Sequence, residues 1–287
     1  MIGLADCNNF FVSCERVFRP DLTKRPVIVL SNNDGCAVAL SAEAKSLGFR
    51  RGDPYFKIRQ HPGSKALAVF SSNHRLYGDM SARVMTILRS LVSKVDVYSI
   101  DEAFLEIDDS ITDFADFAGY VVAKVRHDTG IPVSIGIAPT KTLAKIASHF
   151  AKRYKGYKGV CIIDTPAKTQ TALELTDIGD VWGIGRRLTK RLRQYGINTA
   201  LELASLPQKS AEAIFNITGM RTWRELNGCP CISIDIMSPE RKTITSSRSF
   251  AAETNDFGKL RQALAGFATI AARKLRENGG YALEVET

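Results

Sequence analysis

Two adjacent acids, Asp101 and Glu102, stand between two apolar runs of the chain. The flanking runs are typical of two strands, which places the acids at the tip of a hairpin. A third acid, Asp6, directly follows the apolar run Ile2–Ala5. A buried pair of carboxylates costs desolvation free energy unless a cation compensates it. Carboxylates at strand ends can hold divalent ions for phosphoryl chemistry, because Mg²⁺ prefers oxygen ligands. An exposed hairpin turn, where Asp is common, is the alternative interpretation.

The spacing of the acids restricts how they can act together. Neighbouring residues on a flat strand point to opposite faces, so Asp101 and Glu102 can serve one centre only at a turn or bulge. Two aromatic residues, Phe10 and Phe11, follow Asp6 closely. They are compatible with ordinary core packing. They could instead form a wall against a nucleotide sugar, where an aromatic edge leaves no room for a 2′ hydroxyl and selects deoxynucleotides.

A row of lysines follows the strand that ends near Ala138. Thr140 is a suitable helix N-cap, and Lys141, Lys145 and Lys152 then share one helical face. The opposite face of this helix is apolar. Ammonium groups in a row suit a triphosphate or the phosphates of a nucleic acid backbone. A solvated helix face is the plainer interpretation.

Two glycines, Gly183 and Gly185, stand before a strongly basic segment that includes Arg186, Arg187 and Lys190. Glycines at a helix start let backbone amides approach a phosphate closely. The segment is not a dinucleotide fingerprint, because the third glycine is absent and no strand–helix–strand unit surrounds it. It predicts a helix-hairpin-helix that contacts a nucleic acid backbone rather than the bases, and a plain helical turn is the alternative.

Charge is unevenly distributed along the 287 residues, whose net charge is +9. Residues 141–193 hold twelve Lys or Arg and four Asp or Glu, whereas residues 96–116 hold eight acids and no bases. An acidic focus followed by a basic half indicates a metal site beside a track for a polyanion. Solvated helix faces are the alternative.

Composition favours a cytoplasmic protein. No stretch approaches the length of a membrane span, and no secretory signal is visible, so we expect no membrane association. The six cysteines have irregular spacing, which favours reduced thiols over a disulfide framework. Cys229 and Cys231 could be read as a redox or metal pair, but the thiol interpretation is preferred.

The elements that must position these residues follow from hydrophobic periodicity. Predicted strands cover Ile2–Asp6, Pro26–Leu30, Ala66–Phe70, the hairpin around Asp101, Pro132–Ala138 and Val160–Ile163. Predicted helices cover Ala37–Leu47, Arg75–Ser93, Phe114–Val125 and Thr140–Lys152. This order predicts an α+β, ferredoxin-like unit that carries an inserted subdomain between Phe11 and Asn73. Short helices with glycine turns follow, then a β-like stretch from Thr243 and a helix from about Phe257 to Asn278.

Together these segments resemble the Y-family translesion DNA polymerases, most closely the UmuC-type branch that includes the catalytic subunit of bacterial DNA polymerase V. The resemblance covers essentially the whole chain. Seven segments carry it: Asp6–Phe11, Arg19–Leu22, Leu30–Cys36, Ser99–Phe104, Thr140–Lys145, Val181–Arg187 and Ser247–Phe250.

The resemblance implies error-prone, DNA-directed DNA synthesis past lesions, in DNA repair and SOS mutagenesis. It implies that Asp6, Asp101 and Glu102, with the backbone carbonyl of Cys7, bind two Mg²⁺ ions, for which Mn²⁺ is a possible substitute. It further implies a steric gate at Phe11 and a nucleotide contact at Phe10, and triphosphate binding by two lysines, Lys45 and Lys152. The DNA-binding residues would be Lys141, Lys145, Gly183, Gly185, Arg186, Arg187 and Lys190.

The resemblance also implies four domains. The ferredoxin-like palm would comprise residues 1–11 and 74–164, the fingers 12–73, the helix-hairpin-helix thumb 165–236 and an incomplete little finger 243–287. Its implied ligands are primer-template DNA and dNTP, and its implied partners are a UmuD′-type accessory dimer, a RecA filament and a sliding clamp. The clamp contact is expected to be lost with the missing C-terminal segment. One departure is Asn8, which stands where many members have an acid.

Two other functions are compatible with parts of the sequence. A palm-fold nucleotide cyclase would share the acids but has no use for the glycine hairpin. A non-catalytic remnant that binds damaged DNA would share the basic segment, but nothing would then hold the acids together.

Overall fold

The computed structural model describes residues 1–108, 110–234, 242–248, 250 and 252–287. Its strands are β1 Ile2–Cys7, β2 Val27–Leu30, β3 Ala37–Leu40, β4 Ala68–Phe70, β5 Val95–Val97, β6 Glu102–Glu106, β7 Val133–Ala138 and β8 Val160–Ile162. Its helices are α1 Phe10–Phe18, α2 Ala42–Ser46, α3 Tyr55–Gln60, α4 His74–Leu91, α5 Phe114–Thr129, α6 Lys141–Arg153, α7 Pro166–Leu175, α8 Arg186–Gln194, α9 Ala200–Ala204, α10 Gln208–Ile214, α11 Ile217–Leu226 and α12 Phe257–Glu277.

A five-stranded sheet in the order β5-β6-β1-β7-β8 forms the centre of the fold. β1 pairs antiparallel with β6 and β7, whereas β8 pairs parallel with β7. The first four of these strands have the ferredoxin-like arrangement, so the predicted α+β architecture is confirmed. β8 adds a fifth strand at one edge.

The two faces of this sheet pack against different helices, because successive residues of a strand point to opposite sides. Leu4 and Phe104 join the apolar cluster that contains α6 and the helices after it. Ala5 and Ala103 join the cluster that contains α4 and α5. By this alternation, the side chain of Asp6 belongs to the α6 face.

Helix α6 approaches the sheet closely at Gly136. A Cβ atom at this position would lie 2.1 Å from the backbone nitrogen of Ser148. Any side chain here would push α6 off β7, so the lysines of α6 depend on this glycine for their distance from the sheet.

A second sheet in the order β3-β2-β4 lies in the predicted insertion. The prediction of one helix over Ala37–Leu47 is wrong in its first half. β3 pairs antiparallel with β2, and helix α2 begins only after Ser41, whose hydroxyl accepts a hydrogen bond from the Ala44 amide. Pairing with the buried β2 overrides the helical pattern of the alanine-rich run.

Helices α7 to α11 pack on the α6 face of the central sheet. The side chain of Trp182 bridges to the hairpin, where its Nε1 donates to the Tyr98 hydroxyl at 3.1 Å. Cys229 and Cys231, like the other four cysteines, carry free thiols.

Beyond α11 the structure differs from the predicted β-like stretch. Residues 242–248 form no strand. A strand needs a hydrogen-bonded neighbour for its backbone, and a short β-prone segment without one stays irregular. Helix α12 is present as predicted. The predicted boundary at 236 and the motif residue Ser249 lie outside the described residues. Among the described residues, no helix is both long and apolar enough to cross a membrane.

Candidate active site

The central sheet places Asp6 and Glu102 directly opposite each other in the β1–β6 register. Asp101 lies in the turn before β6, where its carboxylate accepts a hydrogen bond of 2.6 Å from the Ser99 hydroxyl. The Cys7 amide donates to the Asp101 carbonyl at 2.9 Å, which ties this turn to the end of β1. Asp101 therefore lies in a turn and Glu102 begins the strand after it, which is the arrangement that two neighbouring acids need to serve one centre.

The carboxyl group of Asp6 is held in an unfavourable environment for its charge. Burial raises its pKa to about 7, and the nearby Glu102 carboxylate adds to this effect. The Lys152 ammonium, which forms an ion pair with Asp6, opposes it. Burial outweighs the ion pair, so this carboxyl would gain from a stronger positive charge.

Each lysine of the predicted row pairs with an acid of the sheet. Lys152 meets Asp6, and Lys145 lies 2.9 Å from Glu102. Lys145 also lies over the ring of Tyr98, with its ammonium 4.4 Å from the ring centre. The row thus faces the acids rather than open solvent.

Lys141 differs most from the predicted exposed row. Its side chain is only 4% exposed, and its ammonium lies 2.6 Å from the Asp96 carboxylate and 2.6 Å from the Ser233 carbonyl oxygen. A lysine in this position has little free surface for a DNA phosphate. The reason is that α6 packs its first turn between β5 and the segment after α11.

The chemistry of the donors fits Mg²⁺, since the candidates are carboxylates and the backbone carbonyl of Cys7. The thiol of Cys7 is buried in the core cluster of α4 and α5, so only its backbone carbonyl is considered as a ligand. Within the described residues, no three His, Cys, Asp or Glu side chains converge closely enough to hold a metal as they stand. The carboxylates of Asp6 and Glu102 pair with lysines, and that of Asp101 accepts a hydrogen bond from Ser99. A metal would therefore have to draw these three carboxylates together.

The two phenylalanines after Asp6 have different environments. Phe10 is 3% exposed and packs in the core, which leaves little of its ring for a nucleotide. Phe11 is only partly buried, and its ring stacks on that of Tyr77 with 4.3 Å between centroids. His74 meets Phe11 edge-on at 5.9 Å. The ring of Phe11, partly exposed and stacked on Tyr77, is compatible with the predicted wall, whereas Phe10 is a core residue.

A further lysine, Lys45, lies near Lys152, the lysine that pairs with Asp6. Asn9 adopts a left-handed backbone conformation between β1 and α1, and its side chain accepts a hydrogen bond of 2.8 Å from Lys45. Burial lowers the pKa of Lys45, with a smaller effect from the nearby Lys152 ammonium. Two ammonium groups that repel each other are suited to share a polyanionic ligand.

The two glycines of the predicted hairpin lie exposed just before α8. Gly183 has a φ of +88°, in the region that glycine adopts without strain, and Gly185 is the N-cap residue of α8. Arg186, Arg187 and Lys190 are exposed on α8. A shallow concavity beside them is lined by Gly179, Ile184, Gly185, Arg186, Thr189, Lys190, Arg193 and Gln194. This surface combines backbone amides at a helix start with clustered positive charge.

Some residues that build this site were not found from the sequence. Tyr77 supports Phe11, and its hydroxyl donates to Glu15 at 2.8 Å. Asn9 holds Lys45. Tyr77 falls on the apolar stripe of α4, so periodicity marks it only as a core residue. No sequence signal distinguishes it from its apolar neighbours.

Solved structures share this fold. A chimeric Y-family DNA polymerase superposes with a TM-score of 0.80, covering 96% of this chain and 80% of its own at 24% identity. The structure of DinB from Sulfolobus solfataricus has a TM-score of 0.65 and 28% identity, covering 79% of this chain and 66% of its own.

Known sequences are similar over almost the whole chain. Protein UmuC of Salmonella typhimurium is 44% identical over 100% of this chain and 69% of its own length. DNA polymerase IV of Pelotomaculum thermopropionicum is 28% identical, covering 98% of this chain and 70% of its own. The model of the impB/mucB/samB family (IMS) matches residues 5–149, which include every candidate acid. The chain therefore belongs to the impB/mucB/samB family.

Proposed function

We propose that this protein is a DNA-directed DNA polymerase for error-prone translesion synthesis. It would transfer a nucleotide from dNTP to a primer 3′ hydroxyl and release pyrophosphate. The observation that carries this proposal is the β1–β6 register, which places Asp6 opposite Glu102 on the face that α6 covers with lysines. Membership of the family whose relatives include DNA polymerases gives independent support.

Asp6, Asp101, Glu102 and the Cys7 carbonyl would hold two Mg²⁺ ions, or Mn²⁺ in their place. When bound, such ions lower the pKa of the attacking hydroxyl and stabilise the leaving pyrophosphate. The protein already brings opposite charges together, since Lys152 pairs with Asp6. A divalent cation and a triphosphate carry the complementary charges, so together they can take the place of this pair.

The remaining residues would bind and orient the substrates. Lys45 and Lys152 would bind the triphosphate, because Lys152 pairs with Asp6 and the Lys45 ammonium lies near that of Lys152. Phe11 would exclude a 2′ hydroxyl, because Tyr77 prevents its ring from moving aside. The hairpin of Gly183 and Gly185 with α8 would hold the DNA backbone.

The proposed domains follow these roles. Residues 1–11 and 74–164 form the palm, 12–73 the fingers and 165–236 the thumb, and those from 243 belong to the little finger. A UmuD′-type accessory dimer, a RecA filament and a sliding clamp are proposed as partners on the strength of family membership alone.

Primer extension over an abasic site tests the proposal. The expected result is extension past the lesion, with an undamaged template of the same length as control. Synthesis that stops one nucleotide before every abasic site, while the undamaged template is copied, would argue against a translesion role.

A further inference from the structure

A fully buried carboxylate lies far along the chain from the candidate acids. Glu225, near the end of α11, has no exposed surface. One of its carboxylate oxygens accepts hydrogen bonds of 2.8 Å from both the amide and the hydroxyl of Thr142, in the first turn of α6. The Thr140 hydroxyl donates to the Glu225 carbonyl at 2.9 Å. A carboxylate at a helix N-terminus is favourable, so these contacts hold α11 on the start of α6.

The second carboxylate oxygen of Glu225 binds a different part of the chain. It accepts hydrogen bonds from the amides of Cys231 at 3.1 Å and Ile232 at 3.0 Å. Burial of a carboxylate is costly unless donors surround it, and here four donors do so. One side chain therefore joins the helix of the lysine row, the last helix of the α7–α11 group and the segment that follows it.

Lys141 makes a second connection to the same segment. Its ammonium, also buried, lies 2.6 Å from the Ser233 carbonyl oxygen and 2.6 Å from the carboxylate of Asp96 on β5. The backbone of residues 231–233 is thus held at adjacent positions, by Glu225 on one side and by Lys141 on the other. Asp96 lies on β5, which forms a hairpin with β6 and so carries Asp101 and Glu102, and the segment is therefore tied to the central sheet.

We propose that Glu225 and Lys141 form a positioning latch that fixes α11 and residues 229–234 on the palm. The latch would set how DNA bound by α8 and by the chain beyond residue 234 lies over Asp6 and Glu102. This inference rests on the proposed polymerase function. Neither latch residue reaches the candidate nucleotide or metal ligands, so both are positioning residues.

Glu225→Gln is the variant that best separates the latch from core packing. It preserves the volume of the side chain but removes its charge. The Thr142 hydroxyl can turn to accept from the new NH₂ group, so the amide oxygen faces Cys231 and Ile232, whose hydrogen bonds to a charged carboxylate become weaker hydrogen bonds to a neutral oxygen. The segment 229–234 is expected to be released, because α6 remains packed on β7 through its apolar face.

Hydrogen exchange of the full chain measures this release directly. In Glu225→Gln we expect peptides covering 229–234 to exchange about tenfold faster, since one hydrogen bond to a charged group is worth at least this factor. Peptides from β1 and β7 should be unchanged. Glu202→Gln is the matched control, because Glu202 caps α9 by accepting from the Asn198 amide away from this segment. Unchanged exchange at 229–234 in Glu225→Gln would overturn the latch.

The functional consequence is measured as DNA affinity. Glu225→Gln and Lys141→Met should each raise the Kd for primer-template about tenfold and leave the KM for dNTP within about twofold. Because both act on one segment, the double variant should also be about tenfold weaker, not about a hundredfold. A general folding defect would instead lower the active fraction without changing the Kd of the folded protein. Unchanged Kd values, or multiplicative effects in the double variant, would contradict the proposal.

These readouts do not depend on DNA synthesis, so the latch and the polymerase function can fail separately. Absence of extension by the wild type would count against the function, whereas exchange and DNA binding decide the latch. If Glu225→Gln does not fold, Lys141→Met leaves Glu225 intact and carries the same test at Ser233.

Discussion

The ammonium group of Lys145 lies 2.9 Å from the carboxylate of Glu102, on the face of the sheet that also holds Asp6. The ring of Tyr98 packs against the same ammonium. This arrangement neutralises one candidate metal ligand with a cation of the protein itself. A divalent ion that uses Glu102 must therefore compete with Lys145.

Lys145→Met should strengthen Mg²⁺ binding. Without the ammonium, we expect the Mg²⁺ concentration for half-maximal thermal stabilisation to fall about threefold, the scale of a partly exposed ion pair. Lys124→Met is the control, because its partner Asp128 lies on α5, on the other face of the sheet. An unchanged or higher Mg²⁺ requirement would show that Lys145 does not compete for Glu102.

Phe11→Ala should weaken the selection against ribonucleotides. Loss of the ring opens space for a 2′ hydroxyl, and we expect the ratio of deoxynucleotide to ribonucleotide insertion to fall at least about tenfold. Phe18 lies on the same helix and is 59% exposed. Phe18→Ala removes its ring and should leave the ratio unchanged. Equal ratios in wild type and Phe11→Ala would mean that Phe11 only packs against Tyr77.

Replacing Arg186 and Lys190 with Ala should flatten the salt dependence of DNA binding. If both contact phosphates, the slope of log K against log salt should decrease in magnitude by roughly two. A double variant of Arg83, which is exposed on α4, and Lys124, which is partly exposed on α5, should keep the wild-type slope. An unaltered slope in the first variant would exclude α8 from the DNA-binding surface.

Asp6→Asn should stabilise the metal-free protein at alkaline pH. Burial raises the pKa of Asp6 to about 7 from its ordinary value of 3.8, so the folded state prefers the neutral carboxyl. The cost of ionising Asp6 in the folded protein is absent below the pKa of the unfolded state. It grows as the pH rises and is complete once the pH exceeds the pKa of the folded state. We expect Asn to raise the free energy of unfolding by on the order of 1–2 kcal/mol at about pH 8, and by much less near pH 4.

Urea unfolding at both pH values measures this difference. Addition of Mg²⁺ should stabilise the wild type at the higher pH and not Asp6→Asn. A gain from Asn that does not depend on pH would show that burial of Asp6 is not its cause.

The central fold follows from sequence periodicity because each predicted element has an apolar stripe that a neighbour covers. The strand at Ala37–Leu40 could not be predicted in this way, since its alanines suit a helix as well as a strand. Pairing of Ala37–Leu40 with β2 decides between them, and that contact is invisible in the local sequence.

The candidate acids could be found because charge is unusual between apolar strands. The partners of the lysine row could not, since helical spacing shows which residues share a face but not what that face meets. Lys141 and Lys145 are four residues apart, a spacing that lysines on a solvated helix face also show. Both nevertheless form ion pairs with acids of the sheet. Glu225 gave no signal either, because a glutamate near the end of a helix is ordinary until its four donors are known.

Single-nucleotide insertion opposite each template base, with Mg²⁺ present, shows whether Asp101 and Glu102 support template-directed DNA synthesis. We expect the wild type to insert mainly the complementary deoxynucleotide and an Asp101→Ala, Glu102→Ala variant to insert none. An Asp79→Ala, Asp116→Ala variant, which loses two exposed acids of α4 and α5, should match the wild type. Insertion that ignores the template base would contradict template-directed synthesis, and insertion that persists without Asp101 and Glu102 would contradict the role of these acids.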